Sequence, residues 1–313
     1  MRHRLISHSG RGLPAADLLL REQQDCDLFA VDAFFRQACN GRYQKAKAID
    51  ADIQDVDVLI FDEPGFGTVA KAMQDAGKLV YGAGPLQDQM SLNTEFAHQL
   101  AAAELRMKPY TGDEKRAMTV DAFYVRGRRV DGSLHTTVAS ATGQCHILRF
   151  WEKARPKVYR LALEPLEPFL RKFAYHGPLG VNIGIRDDQS HPSFISFTTA
   201  FRWATFPLLC EAMQGSWSDI LKGLATGYAD AITTDLLCHA LLHVRVSLER
   251  PGAWTVGPPA AQTVALTTAG KAPGPCYKAL EADAATIPGA AYDTDEVTEL
   301  LASFEELSGW KYL

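Results

Sequence analysis

The first ninety residues alternate short apolar runs with turns rich in glycine. Leu5-Ile6-Ser7 reads as a strand that runs into Ser9-Gly10-Arg11-Gly12. Pro14 then opens a helix over 14–22, because a first helical turn has no partner for an N–H. Residues 27–31 read as a second strand. Residues 56–61 read as a stronger one, ending at Asp62-Glu63-Pro64-Gly65-Phe66-Gly67. Val69 and Met73, one turn apart, mark the next helix, and Gly77 falls where a helix C-cap glycine belongs. Leu79-Val80-Tyr81 forms a further strand before Gly82-Ala83-Gly84-Pro85. Strand, glycine turn, helix, strand is the grammar of a parallel sheet.

The pattern then changes. Leu92, Phe96, Leu100 and Ala103 recur at helical spacing and predict one helix over 91–106, with Ser91 as N-cap. Residues 118–125 alternate as a strand, 126–129 turn, and 134–138 alternate again. Residues 166–173 predict a short amphipathic helix. Val181, Ile183 and Ile185 alternate with Asn182, Gly184 and Arg186, and a polar turn over 187–192 leads to a partner strand over 194–199. There Phe194, Ser196 and Thr198 share one face, opposite Ile195 and Phe197. Helices are predicted near 207–213 and 218–226, strands over 240–248 and 264–268, and a loop over 251–261. Val297, Leu300, Leu301, Phe304 and Leu307 stripe a last helix over 295–307.

Composition narrows the class. The chain has 313 residues, 47% hydrophobic and 22% charged, which excludes disordered, collagen-like and coiled-coil chains. A net charge of -5 argues against a surface devoted to nucleic acid. Six scattered cysteines form no CxxC pair and read as reduced thiols of a cytoplasmic protein. No apolar run approaches the roughly 20 residues of a membrane helix, so no membrane partner is expected.

In parallel sheets ligands sit beyond the carboxyl ends of the strands. The turns Ser9-Gly10-Arg11-Gly12, Asp62-Glu63 with Gly65 and Gly67, and Gly82 with Gly84 are therefore the candidates for a small-molecule crevice. Glycines also simply permit tight turns. Other constellations are weaker. His239 and His243 are four apart, but the segment alternates as a strand, which separates them. Cys145 has no evident base nearby in sequence, no GxSxG is present, and the five tryptophans are too dispersed for a stacking platform.

Four colinear stretches carry a family resemblance: Val58 to Gly67 with Val80-Tyr81-Gly82, Asp88 to Leu100, Leu166 to Asn182 with Phe194 to Thr198, and Ala291-Tyr292-Asp293-Thr294-Asp295. Together they resemble the phosphoribosylamine–glycine ligases of the ATP-grasp superfamily, most closely the divergent ligase-like proteins of bacteria and phages. The resemblance implies an α/β chain in three parts. These are a parallel-sheet domain over 1–88, an ATP-grasp-like α+β domain over 89–250, and a small α+β domain over 251–313. It also implies ATP- and magnesium-dependent amide formation through an acyl phosphate.

Two departures bear on that activity. Ser196 stands where the family has a metal-binding Glu, Thr198 at the following Asn or Thr position, and Ala200 in place of an Arg, while Asn182 matches a family polar position. The family also places a lid subdomain before the strand at 118, where only the eleven residues 107–117 remain, with Lys108, Lys115 and Arg116 as its cations. The expectation is a degenerate, non-catalytic ligase fold with a truncated ATP-grasp domain and no cofactor, kept for binding or assembly as a homo- or hetero-oligomer. Two alternatives stand beside it. One is an active carboxylate–amine ligase, using ATP and magnesium, with a reduced lid or a partner that supplies it. The other is a structural subunit of a larger assembly.

Overall fold

The chain builds two sheets, and their strand directions follow from how the strands are connected. The computed structural model describes residues 1–33, 36, 41–82, 84–112, 116–140, 145–151, 156–186, 191–201, 213–214, 216–227, 235–236, 240–248, 263–270, 273–286 and 290–308. The first sheet takes β1 (Arg2–Ser7), β2 (Asp25–Ala30), β3 (Gln44–Lys45), β4 (Val58–Phe61) and β5 (Leu79–Gly82), with α1 (Leu13–Arg21) and α2 (Gly67–Asp75) between strands. Its order is β3-β2-β1-β4-β5 and every pair is parallel. Parallel neighbours need crossovers, which cover both faces and make the strands apolar on both sides. Leu5, Val58, Ile60 and Tyr81 pack on one face, and Ile6, Leu59, Phe61 and Val80 on the other.

The helix predicted over 91–106 is three pieces. α3 (Pro85–Leu92) and α4 (Thr94–Leu100) are separated by Asn93, whose backbone is extended and whose side chain accepts from the Phe96 N–H. Asn93, not Ser91, is the cap. A π-helical turn, Ala101–Leu105, completes the run. Ser91 instead holds Thr199, accepting from its backbone N–H at 3.0 Å.

The second sheet is antiparallel. Its strands are β6 (Arg116–Val125), β7 (Arg128–Arg129), β8 (His135–Ala139), β9 (Cys145–Phe150), β10 (Gly177–Ile185) and β11 (Ser193–Thr198), with α5 (Lys157–Ala162) and α6 (Glu167–Lys172) between β9 and β10. Beyond β12 (Met213–Gln214), α7 (Trp217–Thr226) and β13 (Asp235–Leu236), the sheet is extended by β14 (Ala240–Leu248) and β15 (Thr263–Gly270). α8 (Pro273–Ala285), β16 (Ala290–Ala291) and α9 (Thr294–Ser308) close the described chain. The order is β11-β10-β6-β8-β9-β14-β15. β14 and β15, on either side of residue 250, pair along their length. The helix expected near 207–213 lies outside the described residues except Met213, which is in a strand. The loop over 251–261 and His239 also lie outside them. His243 is on β14, opposite His146, as alternation predicts.

Period-two alternation assigns the faces of β6. Met118, Val120, Ala122 and Tyr124 join Leu179, Val181 and Ile183 in the main core, which also takes Leu166 and Leu170. Cys276 and Leu280 of α8 and Val297, Leu300 and Phe304 of α9 complete that core. On the opposite face Phe123 and Val125 pack with Trp217, Leu221 and Leu224 of α7 and with Tyr81 of the parallel sheet. That cluster ties the two sheets together. A carboxylate reinforces it: Glu22 accepts from the N–H groups of Trp217 (2.6 Å) and Ser218 (3.1 Å), at the positive end of α7. Among the described residues no helix is long and apolar enough to cross a membrane.

Candidate functional site

The three glycine turns do converge, but donors of the first two are already used. β1 and β4 are neighbours, so Ser7 and Asp62 emerge side by side at the carboxyl end of the parallel sheet. Asp62 is fully buried; its Oδ2 accepts from Ser7 Oγ at 2.7 Å and from the Gly12 N–H at 2.6 Å. Glu63 Oε1 accepts from the N–H groups of His8 (3.1 Å) and Ser9 (2.7 Å) and from Ser9 Oγ (2.9 Å). The Gly10 N–H donates to Ser7 Oγ, and Arg11 Nε lies 3.5 Å from Glu63 Oε2. Asp88 accepts from the Gly65 and Gly67 N–H groups at 2.6 and 2.8 Å. Turn N–H groups of this kind make anion sites when a ligand supplies the negative charge. Here the Glu63 and Asp88 carboxylates supply it from within the chain, and Asp62 takes the Gly12 N–H. An incoming phosphate would meet those carboxylates. The glycines serve close packing: a Cβ at Gly12 would lie 2.9 Å from Asp62 Cβ, and one at Gly84 would lie 2.4 Å from Gln87 Oε1. Sequence reasoning missed Ser7 and Asp88, whose partners are remote in the chain.

Burial pushes the Asp62 carboxyl up to about 7, against the hydrogen bonds from Ser7 and Gly12; its Oδ1 has no hydrogen-bond partner. A carboxyl raised this way favours the folded state most when protonated. That contribution is complete below the ordinary aspartate value of 3.8 and is lost as pH rises through about 7. Chemical denaturation at several pH values should show a decline across that window in the native protein that Asp62→Asn removes. Parallel pH profiles for the two proteins would contradict this.

The second candidate surface is one face of the antiparallel sheet. The register sets Asn182 opposite both Thr119 and Ser196. Thr119 Oγ1 donates to Asn182 Oδ1 at 2.6 Å, and Asn182 Nδ2 donates to Ser196 Oγ at 2.6 Å and to Thr198 Oγ1 at 3.2 Å. Ala200 is buried beyond them. Asp121 lies on the same face beside Gly180, where a Cβ would come within 2.0 Å of Asp121 Oδ1. His135 Nε2 is 3.7 Å from Asp121 Oδ2. Thr119, Asp121 and His135 were missed in sequence: alternation assigns Thr119 and Asp121 to one face, but only the register puts that face beside Asn182.

This donor set does not fit magnesium. Mg²⁺ demands octahedral oxygen ligands, usually carboxylates with phosphates and water. Asn182, Ser196 and Thr198 are neutral and bonded to one another. Among the described residues no group of three His, Cys, Asp or Glu side chains is placed to hold a metal. The segment before β6 runs along the sheet edge. Tyr110 N–H donates to the Phe194 carbonyl at 2.8 Å, and Phe194 N–H to the Lys108 carbonyl at 2.8 Å. Arg116 pairs with Glu306 of α9, and Lys115 lies outside the described residues. Cys145 is no nucleophile: burial pushes its thiol up to about 12.

No protein-family model matches the chain, and no curated protein matches it. Solved structures do. Biotin carboxylase from Campylobacter jejuni, solved as a β-γ-ATP complex, superimposes with a TM-score of 0.62 at 9% identity, covering 99% of this chain and 97% of that one. Kluyveromyces lactis urea carboxylase gives 0.60 at 11% identity, covering 100% of this chain and 32% of that one. Rhizobium etli pyruvate carboxylase T882A gives 0.62 at 11%, covering 99% and 40%. This chain thus spans about a third of the urea carboxylase and nearly all of the biotin carboxylase. The architecture is a mixed α/β fold, with one parallel and one antiparallel sheet, shared with these carboxylases. At these identities the likeness to the carboxylases is one of fold, and the likeness to phosphoribosylamine–glycine ligases rests on the sequence stretches alone.

Proposed function

We propose that this chain is a degenerate ATP-grasp ligase-like protein that forms no acyl phosphate and is kept for binding or assembly. The observation that carries this reading is that Ser196 and Thr198, at the positions where the resemblance puts metal-binding groups, are neutral and both accept from Asn182, which Thr119 holds in turn. Phosphoryl transfer rests on positioning and on neutralising charge around the triphosphate. Hydroxyl and amide groups that satisfy one another supply little of either. The short strap along β11 supports the same reading, because β6 begins at Arg116 and the nine residues 107–115 cannot form a lid with its own sheet.

The test is release of ADP or phosphate from Mg-ATP, with carboxylate and amine substrates offered together. No release above the uncatalysed background is expected, and Ser196→Glu alone should not create any, because the lid is still missing. ATP-dependent turnover by the native chain would overturn the reading.

A further inference from the structure

A cavity of about 550 Å³ lies where α2 and β5 meet the end of α6. Asn182, Ser196 and Thr198 are not among its walls. Lys71, Lys78, Arg126 and His176 line it, and among the described residues no aspartate or glutamate does. That is a local excess of positive charge in a chain of net charge -5. Apolar walls concentrate such a field on a bound anion.

Further features make this a built site. Arg126 and Ala174 both line it and both hold left-handed backbone, at φ +48° and +47°. Conformations of that kind cluster where a ligand is clamped. Gly227 permits the arrangement: a Cβ there would come within 2.7 Å of Arg126 Nε and 3.0 Å of His176 Cε1. His176 Nδ1 is buried without a hydrogen-bond partner. Lys78 Nζ lies 3.4 Å from the Gln54 and Val56 carbonyls, the outer limit of a hydrogen bond. Lys71 pairs with Asp75, one turn along α2 and outside the lining. Phe173, 51% exposed, offers an apolar ring to the same cavity.

We propose that this cavity binds a phosphorylated small molecule, its phosphate held by Lys71, Lys78 and Arg126 and its carbon skeleton laid against Phe173. A ligand hydroxyl would then meet His176 Nδ1. The volume falls within the about 300–1,000 Å³ usual for small-molecule sites.

Calorimetry on the full chain at low salt, free of magnesium and ATP, tests this with inorganic pyrophosphate and glucose 6-phosphate as probes and glucose as the uncharged control. Both anions are expected to bind, and glucose is not. Arg126→Gly and Lys78→Gln should each weaken binding by about tenfold. Arg126→Gly suits the test because glycine takes φ +48° without strain. Should either variant melt early, Lys71→Gln, on an exposed side chain, serves in its place. Lys108→Gln, on the strap along β11, should leave affinity unchanged. Binding of both anions weaker than about 1 mM, or equal loss in the Lys108 variant, would overturn the proposal. ATP turnover on the sheet face would leave this result untouched, and the reverse also holds.

Discussion

Asp27→Ala is expected to lower folding stability by about 3–5 kcal/mol. Arg4 is 1% exposed and sits directly across β1 and β2 from Asp27. Its guanidinium donates to both carboxylate oxygens, Nε to Oδ1 at 2.6 Å and Nη2 to Oδ2 at 2.8 Å. Nη1 donates to the Ile49 and Ala51 carbonyls, which binds the connection before β4 to the sheet. A guanidinium keeps its charge in proteins. Removing Asp27 therefore leaves a buried cation with carbonyls alone, and desolvation is no longer offset. Marginal domains have about 5–15 kcal/mol in all, so the parallel domain should lose much of its native population. Urea unfolding gives the number. The double variant Arg4→Met with Asp27→Leu should be clearly more stable than Asp27→Ala, because it removes the charge with its partner. If the double variant is as unstable as the single one, buried charge is not the cause.

Gly82→Ala is expected to cost about 3 kcal/mol or more, combining left-handed strain with overpacking. Gly82 ends β5 with φ +94°, paired to Phe61 at the end of β4. A Cβ there would lie 1.8 Å from the Phe61 carbonyl oxygen and 2.8 Å from its carbon. Both are backbone atoms of a strand paired on both sides and cannot swing aside as a side chain does. Gly77 is the internal control. It also has positive φ, at +82°, but a Cβ there would meet nothing within 4 Å. Gly77→Ala should cost only the backbone term, about 1–2 kcal/mol. Thermal melts of both variants decide the matter, and equal losses would refute the close-approach account.

The parallel sheet was legible because its signals are local. Apolar runs, glycine turns and Pro14 lie within a few residues of the elements they define. Elements with weaker local signals escaped. β9 and α5 are six residues each, too short to show a period, and α8 begins Pro-Gly-Pro, with Cys276, Tyr277 and Leu280 against the core. Asn93 broke a helix whose apolar spacing ran on through it, because a cap depends on one side chain and one N–H. On the antiparallel sheet, alternation placed Ser196 and Thr198 together, while Asp121 and His135 became neighbours of that face only through strand register.

What the sequence determined by itself was the class of the segments with strong local signals, the α/β order and the neutral residues at 196, 198 and 200. These depend on side-chain chemistry and on periods of two and 3.6. Tertiary structure alone decided where the charges went. It turned Asp62, Glu63 and Asp88 onto the turn N–H groups that sequence offered to a ligand, and it gathered Lys71, Lys78, Arg126 and His176 around one cavity. The physical reason is that electrostatic and hydrogen-bonding partners meet through space, over separations of fifty residues or more between Gly12 and Asp62 or between Lys71 and Arg126, which no local period records.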